Sequence, residues 1–229
     1  MQTASPRALV DVAPPTEPAA APKPRRLHPG PVRVMHWINA VTIVFMILSG
    51  WKIYEDEVIF GWLHFPAWLT IGPWAQHGLQ VHFFFMWILV INGLAYLSYG
   101  FATGRFRRML IPIHWSEFVR TIKDTLHFKL AHDDPTIYNP VQKLFYIGVI
   151  CAGLLSVFSG LVLWKPIQFS EAQALFGSFQ NVRLVHFLAM AAIFGFLVVH
   201  VALALLVPKT LVAMVDGGPV IRPKRREST

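Results

Sequence analysis

The sequence predicts an all-α membrane protein: a four-transmembrane-helix bundle with both termini cytoplasmic and a further, interfacial helix on the cytoplasmic surface. Three observations carry this expectation. The 229 residues are 55% hydrophobic and only 14% charged, with a mean hydropathy of +0.49, which is not the balance of a chain that must cover itself with charge in water. The apolar residues gather into four runs, each near the ~20 residues a helix needs to cross a bilayer core. The net charge of +8 flanks those runs, in the first 33 residues, at 105–129 and at 222–226. That placement reads as topology signals and contacts to anionic lipid, and it argues against nucleic acid as a partner.

Taken in order, residues 1–31 are rich in Pro and Ala with scattered Arg and Lys. They hold no apolar stretch able to make a core, so a disordered basic tail is expected there. They do not follow the basic, apolar, small-residue order of a secretory leader. The helical domain is expected over 32–210, followed by a basic cytoplasmic tail over 211–229. The spans fall at 34–53, 78–100, 139–164 (ended by Pro166) and 182–207 (ended by Pro208). Trp37, Trp51, Tyr54, Tyr96, Tyr99, Tyr138 and Trp164 cluster at their ends, as aromatic side chains do at membrane–water interfaces.

Orientation follows from Lys and Arg. The N-terminal flank carries Lys23, Arg25, Arg26 and Arg33, the loop after the second span carries six, and the C-terminal tail carries Lys209, Arg222, Lys224, Arg225 and Arg226. The other two loops are poorer in positive charge, and the first holds Glu55, Asp56 and Glu57. Both termini are therefore placed in the cytoplasm. Within the cytoplasmic loop, 116–130 puts Phe118, Val119, Ile122 and Leu126 on one helical face and Arg120, Lys123 and Asp124 opposite, the pattern of the interfacial helix. The first loop, 54–77, holds Phe60, Trp62, Phe65, Trp68 and Trp74 and is expected in the outer interface. No repeat at a fixed period is found.

The histidines carry the chemistry. His186 and His200 lie fourteen residues apart in one apolar run, close to four whole helical turns, so they share a face about 21 Å apart along the axis. With the topology above, His36 and His200 lie near the cytoplasmic side, and His82 and His186 near the outer side. Neutral imidazole is a good ligand for haem iron. Two axial imidazoles leave no open position for oxygen or substrate, so such an iron only accepts and donates electrons. The single Cys151 allows neither a disulfide nor a Cys-x-x-Cys-His attachment site, so any haem is held non-covalently. Arg33 and Arg183 each precede a proposed ligand by three residues and are candidates to meet anionic propionates, with interface anchoring as the plain alternative. The third span has no histidine and offers Gly148, Gly153 and Gly160 for close approach. Zinc is the main competitor, but no intramembrane Asp or Glu and no His-Glu-x-x-His motif is present to complete a tetrahedral site. His77 competes with His82. It lies at the edge of the span, just after Pro73, so His82 is preferred.

The chain resembles the bacterial di-haem cytochrome b membrane subunits of Ni,Fe-hydrogenase, formate dehydrogenase and thiosulfate reductase type. The matching segments are Arg33-Val-Met-His36-Trp-Ile-Asn39, Val81-His82-Phe-Phe-Phe-Met-Trp87 leading to Asn92-Gly-Leu-Ala-Tyr96, Tyr138-Asn-Pro-Val-Gln-Lys143, and Arg183-Leu-Val-His186 with Val199-His200. The resemblance covers residues 31–207. It implies His36, His82, His186 and His200 as ligands of two haem b groups, His82 paired with His186 and His36 with His200. It also implies electron exchange between the quinone pool and a catalytic partner subunit. That partner is expected to be periplasmic and of molybdopterin, nickel–iron or iron–sulfur type, with this chain in the inner membrane as an electron-transfer subunit. Asn39, Gln142 and Lys143 could serve a quinone head, and the partner surface would be 54–77 with 168–180. Two other readings stand beside it: a standalone haem-containing quinone oxidoreductase or reductase of a small oxidant, and a scaffold or transporter whose histidines bind no haem.

Overall fold

A computed structural model of the chain describes residues 25–110 and 140–221. In chain order these form β1 (Arg25–Arg26), α1 (Gly30–Asp56), a 3₁₀ turn (Ala67–Leu69), α2 (Ala75–Ala102), α3 (Arg105–Leu110), α4 (Pro140–Trp164), α5 (Ser170–Phe176), α6 (Phe179–Leu206), α7 (Pro208–Asp216) and β2 (Val220–Ile221). Four helices, α1, α2, α4 and α6, are long and apolar enough to cross a membrane. The interfacial segment expected at 116–130, and Tyr138 with Asn139 before the third span, lie outside the described residues.

The four long helices match the four apolar runs, and α1, α2 and α6 start about three residues earlier than hydropathy alone suggests. A helix does not stop where its side chains become polar, because its backbone bonds continue until a cap or a Pro intervenes. Pro31 sits in the first turn of α1, where its missing N–H is not needed. The Ser178 hydroxyl accepts the Asn181 amide at 3.1 Å and caps α6. Pro208 ends α6 and opens α7.

α1 packs along α2, and α4 along α6, so the bundle is two helical hairpins. The buried apolar seam is thin: Val32, Ile47, Trp51 and Tyr54 on α1, Val162 on α4, and Val182, Ala189 and Ile193 on α6. Ring contacts join one hairpin to the other, Trp51 on Phe194 (centroids 5.2 Å), Tyr54 on Phe187 (5.0 Å) and Phe83 on Trp164 (5.2 Å).

One end of the bundle, the loop end, is closed by the segment after α1. The Tyr54 hydroxyl donates to the Phe60 carbonyl at 3.2 Å and accepts the Phe60 amide at 3.0 Å. Glu55 accepts the Phe65 amide at 2.7 Å, and the Phe65 ring stacks on Trp51 at 4.4 Å. The other end, the terminal end, is closed by both chain flanks. β1 pairs with β2 antiparallel, Arg25 with Ile221 and Arg26 with Val220. The Leu27 amide donates to Pro219 O and the His28 amide to Gly217 O, both at 3.1 Å. The Arg26 guanidinium donates to the Asp216 carbonyl, and the Trp37 indole to the Met214 carbonyl at 3.2 Å. Gly217 makes the turn at φ +101°, and a Cβ there would come within 2.7 Å of Arg26 Cδ. The two flanks thus meet at the same end, as an even number of spans requires.

Candidate cofactor site

The histidines gather in two tiers. Toward the loop end, His82 on α2 faces His186 on α6, with ring centroids 6.4 Å apart and planes at 68°. Toward the terminal end, His36 on α1 faces His200 on α6, at 6.1 Å and 62°. Metal–imidazole bonds are about 2.0 Å, and a ring nitrogen lies roughly 1.1 Å from its ring centre, so two imidazoles on opposite sides of one metal atom stand about 6.2 Å apart. Both pairs have that separation. Among the described residues no three of His, Cys, Asp or Glu gather, so each tier offers two imidazoles and no third group of these types. Facing imidazole pairs of this kind would hold a haem iron, whose macrocycle would supply the remaining ligands.

The loop-end pair is built alike on both hairpins. On α1, the buried Ser49 hydroxyl donates to the Phe45 carbonyl at 2.6 Å, and its oxygen lies 3.0 Å from His82 Nδ1. On α4, the buried Ser159 hydroxyl donates to the Leu155 carbonyl at 2.6 Å, and its oxygen lies 3.0 Å from His186 Nδ1. A glycine follows each serine. Gly50 meets the His82 ring and Gly160 the His186 ring, where a Cβ would stand 3.5 Å and 3.1 Å from the respective Cε1 atoms. These glycines let the rings lie against the neighbouring helix.

The terminal-end pair is built differently. His36 Nδ1 is buried and has no partner among the described residues. His200 is exposed, and its ring stacks on Phe196 at 5.5 Å. Beside His36, the buried Asn92 amide donates to the Met35 carbonyl at 2.8 Å and to Asn39 Oδ1 at 2.7 Å, locking α2 to α1. Asn39 therefore already has one partner.

The two arginines differ as well. Arg183 is tied to the loop end: it pairs with Glu57 Oε1 at 2.9 Å, donates to the Glu57 carbonyl and reaches Gln180 Oε1 at 2.7 Å. Arg33 has its Nε buried without a partner among the described residues. His77 is exposed at the start of α2 and lies against Gly72. Of the three glycines singled out in the third span, Gly160 touches a histidine, whereas Gly148 and Gly153 face open space. Cys151 is exposed.

Sequence reasoning missed Ser49, Ser159, Gly50 and the bridging role of Asn92. A signal for the serines was present: Ile47-Leu-Ser-Gly-Trp51 and Val157-Phe-Ser-Gly-Leu161 repeat one pattern in the first and third spans. Inside a helix the nearest acceptor for a ligand-type Nδ1–H is usually a carbonyl one turn back. In the loop-end tier it is instead a hydroxyl from the adjacent helix, because the Ser-Gly surface brings that helix within hydrogen-bond reach.

Comparison with known proteins bears on what the tiers hold. The prokaryotic cytochrome b561 family matches residues 27–217. A relative from Azospira oryzae, named "Putative protein-methionine-sulfoxide reductase subunit YedZ1", is 40% identical over 191 residues, covering 83% of this chain and 96% of its own length. Relatives from Bradyrhizobium diazoefficiens and Azotobacter vinelandii, each named "Probable Ni/Fe-hydrogenase B-type cytochrome subunit", are 23% and 25% identical. The first covers 76% of this chain and 75% of its own length, the second 78% and 79%. With its four apolar helices, the chain belongs to the prokaryotic cytochrome b561 family, multi-pass membrane proteins that use haem b to move electrons across the membrane.

Proposed function

We propose that the chain carries electrons across the bacterial inner membrane through two non-covalent b-type haems, one held by His82 and His186, the other by His36 and His200. The single observation that supports this most is the pair of facing imidazole couples, each at the separation of one shared metal atom. Haem so ligated supplies a one-electron couple with no free coordination position.

The chain's residues then divide the work by depth. The loop end faces the periplasm and the terminal end the cytoplasm, a reading supported by the Lys and Arg distribution and by the meeting of both flanks. Arg33, whose buried Nε has no partner among the described residues, holds a propionate of the inner group. Arg183 clamps the loop through Glu57 and offers its remaining N–H groups to the outer one. Quinone docks at the cytoplasmic end, where Asn39, Gln142 and Lys143 supply donors and acceptors beside an apolar wall. The periplasmic surface, 54–77 with 168–180, receives a catalytic oxidoreductase subunit. There Trp62, Trp68 and Leu175 stand about four-fifths exposed, a concentration of apolar surface that fits an interface. The three relatives described above carry subunit names. The 40% relative's name favours a methionine-sulfoxide reductase over a hydrogenase as partner. With that partner, electrons run outward from quinol.

The test is a reduced-minus-oxidised spectrum with haem quantitation on the purified chain. Two b-type haems are expected. His186→Ala removes one and His200→Ala the other. No haem, or full haem content in both variants, overturns the ligand assignment. Co-purification of a periplasmic oxidoreductase supports the subunit role, and full turnover of a small oxidant by the chain alone would favour a standalone reductase.

A further inference from the structure

Each loop-end histidine meets a buried hydroxyl, which His36 does not among the described residues. A serine has one hydroxyl proton. In Ser49 it is used on the Phe45 carbonyl at 2.6 Å, and in Ser159 on the Leu155 carbonyl at 2.6 Å. Each oxygen can then only accept from the ring nitrogen 3.0 Å away. We therefore assign His82 and His186 the tautomer with the proton on Nδ1, which leaves Nε2 as the nitrogen that would bind metal. A second carbonyl lies near each hydroxyl at a matching position, Met46 O at 3.2 Å from Ser49 Oγ and Ser156 O at 3.3 Å from Ser159 Oγ. Both serines are fully buried, so water does not compete for these bonds. His36 Nδ1, by contrast, is buried without a partner among the described residues.

Resting on the ligand assignment above, we propose that Ser49 and Ser159 are positioning residues that lower the redox potential of the outer haem relative to the inner one. An acceptor on Nδ1–H raises the basicity of the ligating imidazole. A more basic ligand stabilises the ferric over the ferrous state, which lowers the potential. A donor hydroxyl whose proton is already engaged is a better acceptor, since hydrogen bonds in a chain polarise one another. Two such chains converge on one centre, one from each hairpin, and the Ser-Gly pairs of α1 and α4 exist in the same register to deliver them.

The experiment is an equilibrium redox titration of the full-length purified chain, followed in the haem absorption bands. The outer transition is identified as the one lost in His186→Ala. Ser49→Ala and Ser159→Ala each raise the outer midpoint. Together they shift its ferric-to-ferrous ratio about tenfold, or about 59 mV for one electron, and leave the inner midpoint in place. Ser49→Thr and Ser159→Thr, which keep a hydroxyl able to bond the carbonyl one turn back, return the outer midpoint to the unsubstituted value. An outer midpoint that does not move, both midpoints moving together, or Thr behaving as Ala overturns the proposal. If an Ala variant sheds its outer haem, the Thr variant decides: retention assigns the effect to the hydroxyl, and loss in both refutes it. A chain without two b-type transitions defeats the ligand assignment itself, whereas two transitions indifferent to the serines defeat this proposal alone.

Discussion

Gly50 and Gly160 occupy equivalent places beside the two loop-end histidines, yet the structure predicts different outcomes when each becomes alanine. Carbon–carbon contacts are comfortable from about 3.5 Å. A Cβ at Gly50 would stand 3.5 Å from His82 Cε1, whereas one at Gly160 would stand 3.1 Å from His186 Cε1, short by about 0.4 Å. His186 can yield only by straining its 3.0 Å contact with Ser159 or by moving toward His82. Overpacking of this kind costs about 1–3 kcal/mol, against a gain of about 1 kcal/mol from replacing Gly in a helix. The net expectation is that Gly160→Ala destabilises by roughly 0–2 kcal/mol and perturbs the outer haem, while Gly50→Ala is neutral or slightly stabilising. The assay is thermal melting followed in the haem band, with the midpoint of each haem transition measured on the same samples. Greater damage from Gly50→Ala, or an unperturbed Gly160→Ala, refutes the packing argument.

Further outcomes follow from other parts of the bundle. Asn92→Leu removes two donated bonds and leaves the Met35 carbonyl and Asn39 Oδ1 without them, costing about 1–3 kcal/mol. Because Met35 adjoins His36, the inner haem should dissociate first on heating, read as loss of one of the two transitions. Arg183→Ala frees Glu57, whose side chain is 69% exposed, so the ion pair itself contributes little. The measurable change is faster protease cleavage within 57–74, with the melting temperature nearly unchanged. At the terminal end, burial, and then the charges of Arg105 and Arg33, hold the His28 imidazole below its ordinary value of 6.5. The neutral ring is thus favoured in the folded clasp. Its contribution is complete above about pH 6.5 and is lost as pH falls through the lowered value. The exchange protection factors of the Leu27 and His28 amides, which bond to Pro219 and Gly217, should fall on acidification below pH 6.5, and His28→Gln should flatten that dependence.

Much of the architecture is legible in the residues. Apolar runs of about twenty residues become helices because a bilayer offers the backbone no other hydrogen-bonding partner. A rise of 1.5 Å per residue then converts sequence position into depth, which is how His82 and His186, and separately His36 and His200, sort into tiers before any coordinates. Rotation of a helix about its own axis is less accessible. Apolar residues lie all round α1, as they do round α2 and α6, so hydropathy does not say which side meets a neighbour. The role of Ser49 was hidden for this reason. A lone serine in a span ordinarily bonds its own backbone, and Ser49 does so while also turning its oxygen to His82. The grip of Arg183 on Glu57 spans 126 positions, and sequence spacing carries no sign of it. The same holds for the ladder between Arg25–Arg26 and Val220–Ile221.

By itself the sequence determined the number of spans, their order and which histidines share a level, since these depend on length, hydropathy and helical rise, all of them local quantities. Only the tertiary structure decided which hydroxyl meets which imidazole, which arginine is already paired, and that both flanks close the same end. Those contacts depend on how helices rotate and approach one another, which is set by packing between residues far apart in the chain.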